Sequence, residues 1–114
     1  ASQLNALGQS GVRFIPIRFT PDYSVHKGES CGGVNIIITD RHKLRAVPLG
    51  IDIVRVLHKL YPVSFPLAKV GRLLCHPPTI EALGQGKTFV QIEALWKTEQ
   101  AKFAHRRAKY LLYE

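Results

Sequence analysis

Residues 26–39 read HKGESCGGVNIIIT, and the fold depends on how this stretch is taken. Gly28-Glu29-Ser30-Cys31-Gly32 has the G-x-S-x-G spacing of a nucleophile elbow, in which a strand runs into a sharp turn and a helix follows. Here the order is reversed. The preceding residues, TPDYSVHK, are loop-like, and Val34-Asn-Ile-Ile-Ile-Thr39 is β-branched at every position but Asn35. The stretch is therefore a loop feeding a strand, with Gly32 and Gly33 easing the entry and Cys31 packing behind it. In that strand Val34, Ile36 and Ile38 face one side, and Asn35, Ile37 and Thr39 the other.

Working outward, Val12–Phe19 (VRFIPIRF) is a second strand, and Pro16 within it marks an edge or a bulge because proline donates nothing to a ladder. Ser2 to Leu7 forms a short helix ended by Gly8. Asp40-Arg-His42 turns the chain into a short strand near 44–47, and Pro48 opens the next helix. Leu49, Ile53, Val56, Leu57 and Leu60 recur at helical spacing, which predicts a helix over 49–61 stopped by Pro62. A helix near 79–84 ends at Gly84 and Gly86. The longest spans 88–112, opened by a Thr88/Gln91 capping box, with Ile92, Leu95, Trp96, Phe103 and Tyr110 turned inward. The fold class is α+β: a small sheet with strands near 12–19, 33–39 and 44–47, packed by the helices near 49–61, 79–84 and 88–112.

The 114 residues suit one domain, 1–114, with an ordinary 46% apolar and 21% charged content. No apolar run approaches the roughly 20 residues of a membrane span. The chain begins at Ala1, and ASQLNALGQSG lacks the basic start and apolar run of a signal peptide; a fragment or processed product is expected. A net charge of +8 raises the possibility of nucleic acid. Positive charge concentrates only in Lys97–Lys109, where it spreads around the helix instead of forming a stripe, so nucleic-acid binding is disfavoured.

The chemistry-bearing residues do not form an obvious catalytic set. Cys31 and Cys75 are too few for a disulfide framework; whether they pair is left open, and Cys31 reads as a packing residue more than a nucleophile. The five histidines are scattered, so no metal site is expected. Glu29 and Asp40 flank a strand, and Glu93 and Glu99 lie on a helix, but Asp40 reads as a turn-former and the two helical glutamates as local partners of Lys97 and Lys102. No catalytic residue is assigned and no cofactor is implied.

An ordered series of residues carries a more specific signal. Gly11-Val-Arg-Phe-x-Pro16, Phe19-Thr-Pro21, Ser24, Gly28, Cys31-x-Gly-Val34, Thr39-Asp-Arg41, Leu60-Tyr-Pro62, Trp96, Phe103, Arg106 and Tyr110-Leu-Leu-Tyr113 together resemble the C-terminal portion of the NamZ-type exo-β-N-acetylmuramidases, over nearly the whole chain. The resemblance implies a two-domain bacterial glycoside hydrolase that removes terminal N-acetylmuramic acid from the non-reducing ends of peptidoglycan fragments. Its catalytic glutamates belong to a Rossmann-like N-terminal domain, and an exported location is implied. This chain would be the accessory domain, a cleft wall without turnover of its own.

The muramic-acid lactyl carboxylate calls for a cation, for which Arg13, Arg18 and Lys27 are candidates. With Phe14, Phe19, Thr20 and Ser24, residues Arg13 and Lys27 make up the expected substrate-binding set. Phe14, Phe19 and Tyr23 are candidates for an apolar platform under a sugar ring, or for core. Val25 stands where the family pattern commonly has Lys directly after the serine of the FTPxxS run. The alternative function is a stand-alone binding module for anionic glycan or nucleic acid.

Overall fold

A computed structural model describes residues 1–112. Two compact units succeed each other along the chain, Ala1–Val56 and a second from Leu57 onward.

In the first unit, α1 (Ser2–Ala6) precedes strands β1 (Val12–Phe19) and β2 (Cys31–Ile38), which pair antiparallel from Val12↔Ile38 to Phe19↔Cys31. The pairing puts Phe14, Pro16, Val34, Ile36 and Ile38 on one face, and Arg13, Ile15, Ile17, Phe19 and Ile37 on the other. Two of the three expected strands are present, the second starting two residues earlier than expected, and the alternation holds. Pro16 is tolerated because each strand of a two-stranded ribbon is an edge. Phe14, 2% exposed, anchors the interior with Leu4 and Ile51.

The Asn5 side chain acts as a short substitute strand. Its Nδ2 donates to the Phe14 carbonyl (2.8 Å), and its Oδ1 accepts from the Phe14 N–H (3.0 Å), which satisfies the outer edge of β1 where no third strand runs. Gly11 enters β1 with φ +78°, and its carbonyl accepts from Thr39 N–H (2.9 Å). A Cβ there would lie 2.4 Å from the Asp40 carbonyl oxygen, so the approach admits only glycine. Gly33 lies under the Phe19 ring, a Cβ there falling 2.6 Å from Phe19 Cε1. The large ring thus covers the bare backbone across the ribbon.

The strand expected near 44–47 is absent, since Leu44 N–H bonds back to the Asp40 carbonyl and α2 (Ala46–Leu60) starts two residues later. Asp40 forms the expected turn, its Oδ1 accepting from His42 N–H (2.9 Å). Pro48 sits in the first turn of α2, as its missing N–H permits. The buried stripe of α2 is Pro48, Ile51 and Asp52, not the expected row through Leu49, Ile53 and Leu60, and Leu60 is exposed. A sequence apolar on most sides offers two stripes. Asp52 selects this one by accepting from Gln9 Nε2 and from Arg55 Nη1 (2.6 Å), which makes burial of its carboxylate tolerable.

The second unit holds α3 (Leu67–Leu74), α4 (Pro77–Gly84) and α5 (Phe89–Ala108). α3 was not expected from the sequence, although Pro66 and the spacing of Leu67, Val70 and Leu74 mark it. Its end is sharp: Cys75 takes the left-handed conformation at φ +48°. α4 begins two residues earlier than expected, with Pro77 and Pro78 in its first turn. α5 opens on the expected capping box, with Thr88 Oγ1 accepting from Gln91 N–H and Gln91 Oε1 from Thr88 N–H. It ends at Ala108, earlier than expected. Val70, Ala82, Leu83 and Ile92 form the core of this unit. Leu95, Phe103 and Tyr110, expected inside, are exposed, so only the first half of α5 has packing partners here.

Candidate functional site

The candidate site lies at the loop end of the ribbon, where residues 20–30 join β1 to β2. This loop is folded back on itself by its backbone. Gly28 N–H donates to the Pro21 carbonyl (2.9 Å), Lys27 N–H to Ser24 (3.3 Å) and Glu29 N–H to His26 (3.0 Å). Ser24 (φ +68°), His26 (φ +65°) and Gly28 (φ +76°) all lie in the left-handed region. For Ser24 and His26 that conformation costs roughly 1–2 kcal/mol each. Strain of this kind persists where surrounding bonds enforce it, and it concentrates at ligand-contacting loops. The His26 imidazole Nδ1 lies 2.9 Å from Glu29 Oε2 and closes the loop on its exposed side.

Of the sequence-predicted residues, Phe19, Thr20, Ser24 and Lys27 are gathered at this end and all are exposed. Tyr23, beside them, is 81% exposed and available to lie under a ligand ring. Arg18 is also at this end, on the ribbon face opposite Phe19. Arg13 shares the Phe19 face but stands six residues away, about 20 Å along an extended strand. It does not join the loop cluster. Phe14 is directed into the core and offers no face to a sugar.

The nucleophile readings end here. Ser30 precedes a strand, far from any helix start, and Cys31 is the half-buried first residue of β2. His26, its nearest histidine in sequence, is engaged by Glu29 instead. Both cysteines are free thiols, and Cys75 is exposed rather than packed. Among the described residues, no group of three or more His, Cys, Asp or Glu side chains is placed to hold a metal ion, and no helix is long and apolar enough to cross a membrane.

Sequence reasoning missed a second polar cluster, in the second unit. Trp96 Nε1–H donates to Thr79 Oγ1 (2.8 Å), and Thr79 Oγ1 lies 2.7 Å from His76 Nδ1. Thr79 N–H also donates to that Nδ1 (3.2 Å), capping α4. An Nδ1 that accepts places the ring proton on Nε2, which faces Glu99 Oε2 at 3.5 Å. The Thr79 hydroxyl then donates to His76 while accepting from Trp96, a consistent chain of donors. Glu99, read from sequence as a partner of a helical lysine, therefore faces His76. These side chains, with Leu74 and Gln100, line a shallow groove of about 260 Å³. The signal available in sequence was His76-Pro-Pro-Thr79, a cap followed by prolines; the pairing with Trp96, 17 residues on from Thr79, had none.

Comparison with known proteins shows the family. The family described as "Exo-beta-N-acetylmuramidase NamZ, C-terminal" matches residues 1–113. The chain is 37% identical over 114 residues to the peptidoglycan beta-N-acetylmuramidase NamZ of Bacillus subtilis (strain 168), covering 96% of this chain and 27% of that protein. The fold is similar to that of a crystal structure of a DUF1343 family protein from Bacteroides fragilis NCTC 9343, with TM-score 0.58 and 24% identity over all of this chain and 32% of the other. The chain thus spans about a quarter to a third of the length of these relatives. It belongs to the family of C-terminal domains of NamZ-type exo-β-N-acetylmuramidases.

Proposed function

We propose that the chain is the C-terminal accessory domain, 1–114, of a two-domain exo-β-N-acetylmuramidase that releases terminal N-acetylmuramic acid from the non-reducing ends of peptidoglycan fragments. A Rossmann-like N-terminal domain supplies the acid and base, and this domain supplies part of the cleft wall. The observation that carries the reading is the 37% identity to a peptidoglycan beta-N-acetylmuramidase across 96% of the chain.

The carboxylates here support a division of labour. Asp52 is committed to Gln9 and Arg55, Asp40 to its turn, Glu29 to His26, and Glu81 to Gln85. A glycosidase pair must face a common space about 5 to 10 Å across, and these four are each engaged by a partner within the domain. The loop is suited to contact instead. Lys27 provides a charge-assisted donor for the lactyl carboxylate, Thr20 and Ser24 provide hydroxyls for the acetamido and ring oxygens, and Phe19 and Tyr23 provide apolar faces.

The test is release of N-acetylmuramic acid from a muramic-acid-terminated saccharide, assayed with the 114-residue chain and with the longer parent protein. Turnover by the parent alone supports the reading. Turnover by the chain alone contradicts it, as does tight, salt-sensitive DNA binding with no affinity for muramic-acid saccharides.

A further inference from the structure

The stripe of α5 that packs in the second unit continues past the point where its packing ends. Phe89, Ile92, Trp96, Glu99, Phe103, Arg106 and Tyr110 follow one another at alternating intervals of three and four. That spacing keeps them on one side of the helix and its C-terminal extension. The first three are covered: Ile92 is fully buried, and the half-buried Phe89 and Trp96 rings meet edge to face at 5.9 Å. From Lys97 to Leu112 every residue is exposed. Phe103 is 52% and Tyr110 71% exposed, and Leu111 and Leu112 follow them into solvent.

The charge of this half is one-sided. Lys97, Lys102, Arg106, Arg107 and Lys109 are accompanied by a single acid, Glu99. Arg106 lies over the Phe103 ring at 5.5 Å and Lys109 over Tyr110 at 5.1 Å, so cations border the aromatic stripe closely. Beyond the approach of Glu99 to His76 this half is exposed, and a helix segment of three turns with so little tertiary contact is marginal by itself, because helices in water owe most of their stability to a packed face.

We propose that the distal half of α5, from Lys97, docks through Phe103 and Tyr110 onto an acidic surface with an apolar centre, carried by the polypeptide that precedes this domain in its parent protein. The inference rests on the reading of the chain as one part of a longer muramidase. Its occupant is selected by charge and by length. A second copy of the chain would set like charges against each other. Nucleic acid would be met by a continuous cationic stripe, whereas these charges surround the helix and the stripe itself is aromatic. The muramidase relative has most of its length outside the matched region, which leaves ample surface for an internal partner.

Hydroxyl-radical labelling of Phe103 and Tyr110, read by mass spectrometry, tests this on the 114-residue chain and on the parent protein. Labelling of both rings should fall about tenfold in the parent, as their exposure drops to that of a buried residue. Introducing Arg106→Glu with Arg107→Glu into the parent should restore it, and the wild-type comparison stands even if that variant folds poorly. Equal labelling in the two proteins overturns the inference. So does protection of the short chain that grows with its own concentration, or that appears only on adding duplex DNA. Muramidase activity measured on the same samples separates the two claims: an active parent with unprotected rings overturns the docking alone, and an inactive parent with protected rings overturns the proposed function while the docking stands.

Discussion

Thr79→Val removes one hydroxyl from the interior of the second unit and changes little else. Valine has nearly the shape of threonine, and Thr79 is 1% exposed, so the cavity contribution is small and the loss falls on hydrogen bonding. Trp96 Nε1–H loses its acceptor at 2.8 Å and His76 Nδ1 loses the donor at 2.7 Å, though it keeps the Thr79 N–H. A buried donor left without a partner costs about 1–3 kcal/mol, and the half-buried Trp96 ring retains some access to water. The expected destabilisation is therefore about 2 kcal/mol. With a urea slope of about 2 kcal/mol per M, the midpoint of the far-ultraviolet circular dichroism transition should fall by about 1 M. Trp96→Phe should lose part of the same energy, and the double variant should lose about 1 kcal/mol less than the sum of the two singles. A Thr79→Val protein as stable as wild type, or single effects that simply add, would refute the reasoning that this chain of bonds ties α4 to α5.

Gly11→Ala should destabilise the first unit by more than about 2 kcal/mol, because the new Cβ meets the Asp40 carbonyl at 2.4 Å and the backbone is at φ +78°; thermal unfolding reads this as a drop of several degrees. Asn5→Ala exposes the Phe14 N–H and carbonyl at the outer edge of β1 and should cost about 1–2 kcal/mol, with faster amide exchange at Phe14 as the local signature. Asp52→Ala leaves the Arg55 guanidinium without its carboxylate. A fully buried pair broken in this way costs about 3–5 kcal/mol, and the 21% exposure of the Arg55 side chain reduces the expectation to about 2, measured by urea denaturation.

The parts of the fold legible in sequence were those where local rules act alone. β2 follows from its run of β-branched residues, the turn from Asp40, and the start of α5 from Thr88 and Gln91. The strand expected near 44–47 failed because Leu44 and Val47 promise extended structure, whereas the bond from Leu44 back to Asp40 already winds the chain toward α2. α2 exposed a different limit. Its apolar residues surround most of the helix, and the buried stripe is selected by a polar residue, Asp52, whose partner Gln9 lies 43 positions away. α5 was misread in its distal half, since the spacing of Phe103 and Tyr110 states only that they share a face with Ile92.

The candidate site was legible to a similar extent. Phe19, Thr20, Ser24 and Lys27 share one loop, and their proximity follows from sequence adjacency. That Phe14 belongs to the core depends on which strand face is turned inward, whereas the distance of Arg13 from the loop follows from its place six residues before Phe19. The left-handed Ser24 and His26 left no mark in sequence, because neither residue type demands that conformation.

The central claim, that this domain contributes substrate contacts and not the catalytic pair, is tested most directly by the substrate discrimination of the parent protein carrying Lys27→Ala. The measurement is kcat/KM on a saccharide ending in N-acetylmuramic acid and on its counterpart ending in N-acetylglucosamine, which lacks the lactyl carboxylate. One charge-assisted hydrogen bond is worth about 1.5–3 kcal/mol, so the muramic-acid substrate should lose roughly ten- to a hundredfold while the glucosamine substrate is unchanged. Loss of the same factor on both substrates, or no loss on either, would contradict it.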